Sequence, residues 1–200
     1  MQILKRVYDW LAVADAPQKS DVIFVLAGRE CRKQCALQMF DEGWASMLLL
    51  SVGRFEVRRF SDFKLPLPTD LLSLAASTAP ERRHYFVALR AGDVQVQWIP
   101  LRRGGTWSEI LAFSQWLRER EFVRSGIIVT SGFHLRRVRW CCRCLISDGI
   151  KLTFVAVPAE TPNFDRECWW QNALARKLVL LELAKVPLYP LLRAVHSLES

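Results

Sequence analysis

No stretch of the 200-residue chain approaches the 18 or more consecutive apolar residues that crossing a bilayer requires. The apolar run at 178–181 is stopped by Glu182, then by Lys185 and Pro187. Near residue 1, Lys5, Arg6 and Asp9 interrupt the apolar residues before a signal-peptide core can form, so a cytoplasmic protein is expected. Glycine and proline are sparse at nine each, and no internal repeat or low-complexity segment is visible. Collagen-like, disordered and coiled-coil chains are thereby excluded. Also missing are the G-x-G-x-x-G and G-x-x-x-x-G-K-[ST] phosphate fingerprints and the G-x-S-x-G nucleophile elbow. Lysine is scarce too, at 7 of the 28 basic residues against 21 arginines.

What is present fits one globular domain spanning 1–200, with 51% hydrophobic and 24% charged residues. A domain of this size buries roughly 70% of the surface its unfolded chain exposes, so it needs no disulfide or metal staple. The net charge is +8. Its arginine-rich character matches phosphate and carboxylate recognition, because the guanidinium fork donates two parallel hydrogen bonds; a genome favouring arginine codons accounts for it equally well. The basic residues lie at 32–33, 58–59, 82–83, 102–103 and 136–139, with no tail or long stripe. That spread argues against specific nucleic-acid binding and leaves an anionic small molecule or an acidic membrane surface as partner. Cysteines stand at 31, 35, 141, 142, 144 and 168. The two helical pairs among them are expected on opposite faces of a sheet, where they cannot share a metal, so reduced thiols and no metal site are predicted.

Apolar and β-branched runs at 21–27, 47–52, 94–99, 127–130 and 152–157 predict five strands. Between them, helical spacing covers 30–43, 106–121 and 134–147, and a last helix is expected over about 169–186. Thr106 and Glu109 have the residue types of a capping box. Residues 54–92 read as an insertion with a short helix around 70–76. Strands alternating with helices predict an α/β fold, a three-layer Rossmann-like open sheet, mainly parallel, with about five strands and helices on both faces.

Ligands bind such sheets outside the carboxyl ends of the strands. The rule nominates Gly28 and Arg29, the turn containing Ser51 and Gly53, the segment 104–109, and the run from Thr130 and Ser131 to His134. His134 and Arg137 stand three apart, so both can reach one phosphate or carboxylate. Thr130 and Ser131 also suit plain helix caps, and Glu109 is either a catalytic carboxylate or half of the capping box. Trp107, Trp116, Trp169 and Trp170 suit either a stacking platform or the core.

Taken in order, Asp21 opening the first strand, Ser51 and Gly53 ending the second, Thr106 and Glu109 before a helix, and Thr130, Ser131, His134 and Arg137 after a later strand resemble the ElyC/SanA/YdcF family of bacterial proteins. The resemblance covers about residues 14–189 and implies a Rossmann-like domain associated with cell-envelope biogenesis. The expected function is a strand-end pocket for an anionic, phosphate-bearing ligand, nucleotide-type or envelope precursor. Arg137 and Arg29 would supply charge, Thr130 and Ser131 hydroxyls, and His134 and Glu109 any acid/base step. No cofactor is indicated. The alternative is a non-catalytic binding or interaction module. Helical spacing over 1–11 also places Leu4, Val7, Tyr8 and Leu11 on one face beside Lys5 and Arg6. That face either packs on the domain or makes a peripheral contact with the inner membrane.

Overall fold

The computed structural model describes residues 1–53, 56, 84–90, 93–99, 105–158 and 164–188. In chain order these form α1 (Gln2–Leu11), β1 (Ser20–Val25), α2 (Glu30–Asp41), β2 (Ala45–Val52), β3 (Tyr85–Arg90) and β4 (Asp93–Trp98). They continue with α3 (Thr106–Arg118), β5 (Ser125–Ser131), α4 (Leu135–Leu145), β6 (Lys151–Val157) and α5 (Ala173–Lys185). The expected helix around 70–76 lies outside the described residues. One six-stranded sheet runs in the order β4-β3-β2-β1-β5-β6. Pairing is parallel from β2 through β1 and β5 to β6, and antiparallel for β2–β3 and β3–β4.

Residues 85–89, inside the stretch read as an insertion, supply the sixth strand. Tyr85, Phe86, Val87 and Leu89 are all buried, so this is a short two-sided core strand with no alternation to announce it. β4 does alternate, because it lies at the edge and turns Asp93, Gln95 and Gln97 to solvent.

β1 is covered on both faces. Val22, Phe24 and Leu26 pack with Ile110, Phe113, Trp116, Leu135 and Val138 of α3 and α4. Ile23 and Val25 pack with Ala36 and Met39 of α2. Cys31 and Cys35 belong to the α2 layer and Cys141, Cys142 and Cys144 to the other, on opposite sides of the sheet as expected. Trp116 and Trp169 are both 3% exposed and Trp107 packs on the α3/α4 layer, so these indoles serve the core.

A third apolar cluster joins α1, α5 and the carboxyl end of β5. Leu4, Val7, Tyr8 and Leu11 pack against Phe133, Phe164, Trp169, Ala175 and Val179. Asp9 pairs with Arg166, and the Trp169 indole donates to the Leu4 carbonyl. The apolar face of α1 is therefore committed to the interior.

At the opposite, amino end of the sheet, Asp21 joins β1 to β5. Its Oδ2 accepts from the amides of Arg124 and Ser125 and from Ser125 Oγ, each at 2.8 Å. Burial raises the pKa of its carboxyl, but these donors outweigh burial and leave it below the usual carboxylate value. Asp21→Ala is expected to cost about 1–3 kcal/mol in urea denaturation at pH 7. Because the folded pKa is depressed, that contribution is complete above the ordinary aspartate value and disappears as pH falls through the folded one. The difference between wild type and variant should therefore shrink in acid.

Candidate functional site

β2 and β5 flank β1 on opposite sides, so the connections leaving β1 and leaving β5 diverge and open a crevice at their carboxyl ends. Arg32, in the first turn of α2, reaches across it. Its guanidinium donates to the Ala27 carbonyl at 2.8 Å and to Ser131 Oγ at 3.1 Å, and lies 3.4 Å from His134 Nδ1. Because a guanidinium only donates, His134 Nδ1 is the acceptor and the ring proton sits on Nε2, which donates to Thr106 Oγ1 at 3.1 Å. Burial, with the charges of Arg137, Arg32 and Lys185, holds the His134 pKa well below its ordinary value, so the ring is neutral. Thr130 Oγ1 lies 3.5 Å from the same Nδ1.

Arg137 donates to Thr106 Oγ1 and forms a fork with Glu182, through Nε at 2.6 Å and Nη2 at 2.9 Å. Arg137 and Glu182 are both buried, and the pair ties α4 to α5. The capping box does not form. Gly105, at φ 117°, occupies the cap, and Thr106 is the first helical residue, its hydroxyl turned to His134 and Arg137.

Glu109 instead spans two strand ends. Its Oε1 accepts from the Ala27 amide at 2.8 Å and from Ser51 Oγ at 2.5 Å. With the single Ser51 proton given to Glu109, His84 Nε2, 2.7 Å away, donates to Ser51 Oγ. A chain of donors thus runs from His84 through Ser51 to Glu109. This is not the order of a nucleophilic triad, because the carboxylate holds the serine and stands 3.9 Å from the imidazole. Burial pushes the Glu109 carboxyl above its usual range, against the bonds from Ser51 and Ala27 and the charges of Arg32 and Lys33. Burial and the Lys33 charge, opposed by Glu56, bring His84 down to about 4.

Glu56 closes the β1/β2 side. Its carboxylate accepts from the amides of Gly28 at 2.8 Å and Gly53 at 2.7 Å, and from Lys33 Nζ. The Arg29 guanidinium lies 4.0 Å from the centre of the Phe164 ring. Between Tyr8, Arg29, Cys31, Ser131, Phe133 and Phe164 remains a cavity of about 20 Å³, room for one water.

No family model, curated protein or solved structure matches the chain.

Of the nominated residues, Gly28, Ser51, Gly53, Thr106, Glu109, Thr130, Ser131, His134 and Arg137 meet at the carboxyl ends of β1, β2 and β5. Arg32, Lys33, Glu56, His84 and Glu182 complete the network and were not singled out. Glu182 carried a signal, since it falls on the stripe of Ala175 and Val179 that α5 buries. Arg32 and Lys33 carried another, as two cations in the first turn of the helix that follows the first strand. For Glu56 and His84 no local pattern existed.

Glu182→Ala should destabilise the fold by about 3–5 kcal/mol in chemical denaturation, because buried Arg137 loses its bidentate carboxylate. An Arg137→Met/Glu182→Leu double variant should recover most of that loss. Stability should also fall between about pH 6.5 and 4, since the unfolded chain then binds a proton that folded His84 refuses. The His84 share is on the order of 3 kcal/mol, and His84→Gln should show a correspondingly shallower decline in urea midpoints.

Proposed function

We propose that the crevice at the carboxyl ends of β1 and β5 binds an anionic, phosphate-bearing small molecule, nucleotide-type or cell-envelope precursor. The observation that carries this reading is the Arg32 guanidinium. It is only 6% exposed, yet its partners are a carbonyl, a hydroxyl and a neutral imidazole. Among the described residues Arg137 has Glu182 and Lys33 has Glu56, whereas no ion pair includes Arg32. A buried charge without a counter-ion is costly, and a ligand phosphate at the switch point of the sheet supplies one. The Arg29–Phe164 roof has to shift to admit it, since the present cavity holds no more than a water.

The resemblance to the ElyC/SanA/YdcF family supports an envelope-biogenesis setting for this ligand and rests on the quoted residues. A non-catalytic binding module is the second reading. It is favoured by His134 having both ring nitrogens engaged and by Ser51 being fully buried between Glu109 and His84. The outward side of α1, where Met1, Ile3 and Trp10 stand exposed beside Arg6, supports a peripheral membrane contact in either case.

Thermal-shift measurements with nucleotides, sugar nucleotides and polyprenyl phosphates test the reading. A ligand at a hundred times its Kd stabilises by about 2.7 kcal/mol. For a domain of this size that raises Tm by roughly 5–10 °C. Wild type should show the shift and Arg32→Met should lose it. If no ligand stabilises wild type more than Arg32→Met, the pocket is refuted. Glu109→Gln then separates the two readings, because binding retained with turnover lost identifies an enzyme.

A further inference from the structure

The carboxylate of Glu56 sits where an oxyanion ligand of this fold would sit. Gly28 and Gly53 lie just beyond the carboxyl ends of β1 and β2, and their amides point at the two oxygens of one anion. Lys33 Nζ adds a cation on the same oxygen that Gly28 holds. Two backbone amides and an ammonium converging at a strand-end turn are the usual furniture of a phosphate cradle. Here the occupant belongs to the chain itself.

The exposures of the two partners differ in a telling way. The Lys33 side chain is 1% exposed and forms the floor, whereas Glu56 is 15% exposed and stands at the rim. Glu56 is anchored by its own backbone, whose amide donates to the Gly53 carbonyl at 2.8 Å. That backbone bond is separate from the contacts of the carboxylate, so side-chain rotation can release the carboxylate while the bond stays. Once it leaves, Lys33 is an unpaired buried cation, so departure is coupled to entry of another anion.

Gly28 joins this cradle to the Arg32 crevice. The Ala27–Gly28 peptide offers its carbonyl to Arg32 and its amide to Glu56, so the two anion-seeking groups lie on opposite sides of one peptide unit. A Cβ on Gly28 would stand 2.9 Å from Arg32 Nη1, and φ there is +134°, so only glycine allows both contacts.

We infer that Gly28, Gly53 and Lys33 form a second oxyanion seat, for a phosphate or carboxylate group of the ligand, and that Glu56 is its intramolecular competitor. The inference rests on the anionic-ligand reading and adds to it a ligand with two anionic groups and a built-in carboxylate that keeps resting affinity low. Apparent affinity is reduced by the fraction of molecules in which the seat is open.

Titration calorimetry with inorganic phosphate and pyrophosphate, on folded full-length variants, tests it. Glu56→Gln should bind about tenfold more tightly than wild type, the gain expected if the seat is open in about a tenth of molecules. Lys33→Met/Glu56→Gln should lose the gain. Glu42→Gln, the same charge change at the far end of α2, should show none. Should Glu56→Gln lack a cooperative melt, Glu56→Asp keeps the charge but is too short to span both amides, and should also bind more tightly. If neither variant binds more tightly than wild type, Glu56 is only a staple for Lys33 and the inference is overturned. Failure of the Arg32 reading looks different: Arg32→Met/Glu56→Gln would then bind pyrophosphate, the probe with two anionic groups, as tightly as Glu56→Gln alone.

Discussion

Everything at the carboxyl end of this sheet follows from β1 having a parallel partner on each side. Parallel pairing leaves the last amides and carbonyls of β1, β2 and β5 side by side, and the diverging connections give none of them a further strand. Buried backbone groups must be satisfied. Here side chains do it: Glu109 for the Ala27 amide, Arg32 for the Ala27 carbonyl, and Glu56 for Gly28 and Gly53. The polar network is thus a structural answer to the topology before it is a candidate site.

Three buried cations in that network are balanced in three ways. Arg137 has a bidentate carboxylate from another helix, which locks α4 against α5. Lys33 has a carboxylate from the turn after β2. Arg32 has only neutral acceptors, with Glu109 and Glu56 acting on it from a distance. The net electrostatic imbalance is therefore concentrated at one guanidinium, between β1 and β5.

The α/β architecture was readable because its signals are local and long. The runs at 21–27, 47–52 and 127–130 became strands buried on both faces, that at 152–157 became the half-buried edge strand β6, and the helical spacing of 30–43 and 134–147 was realised as α2 and α4. β3 was missed because its short run of four buried residues, Tyr85, Phe86, Val87 and Leu89, carries no periodicity. The strand-end rule found most polar residues of the site without knowing their partners. It could not foresee that Thr106 and Glu109 would abandon the capping box, because a cap competes with bonds made to residues 25 and more positions away. Glu56 and His84 were invisible for the same reason.

The packing of α1 has a consequence in time. Its apolar face rests on Phe133, Trp169, Ala175 and Val179, which follow it by well over a hundred residues. At synthesis rates of 5–20 residues per second, α1 waits roughly ten to thirty seconds after translation before its last partners exist. During that interval the apolar face of α1 lacks the residues that cover it in the folded protein. The sheet and its α2 layer can assemble first, and docking of α1 with α5 then closes the crevice. The cluster that joins α1 to α5 is therefore completed only after all six strands have been made.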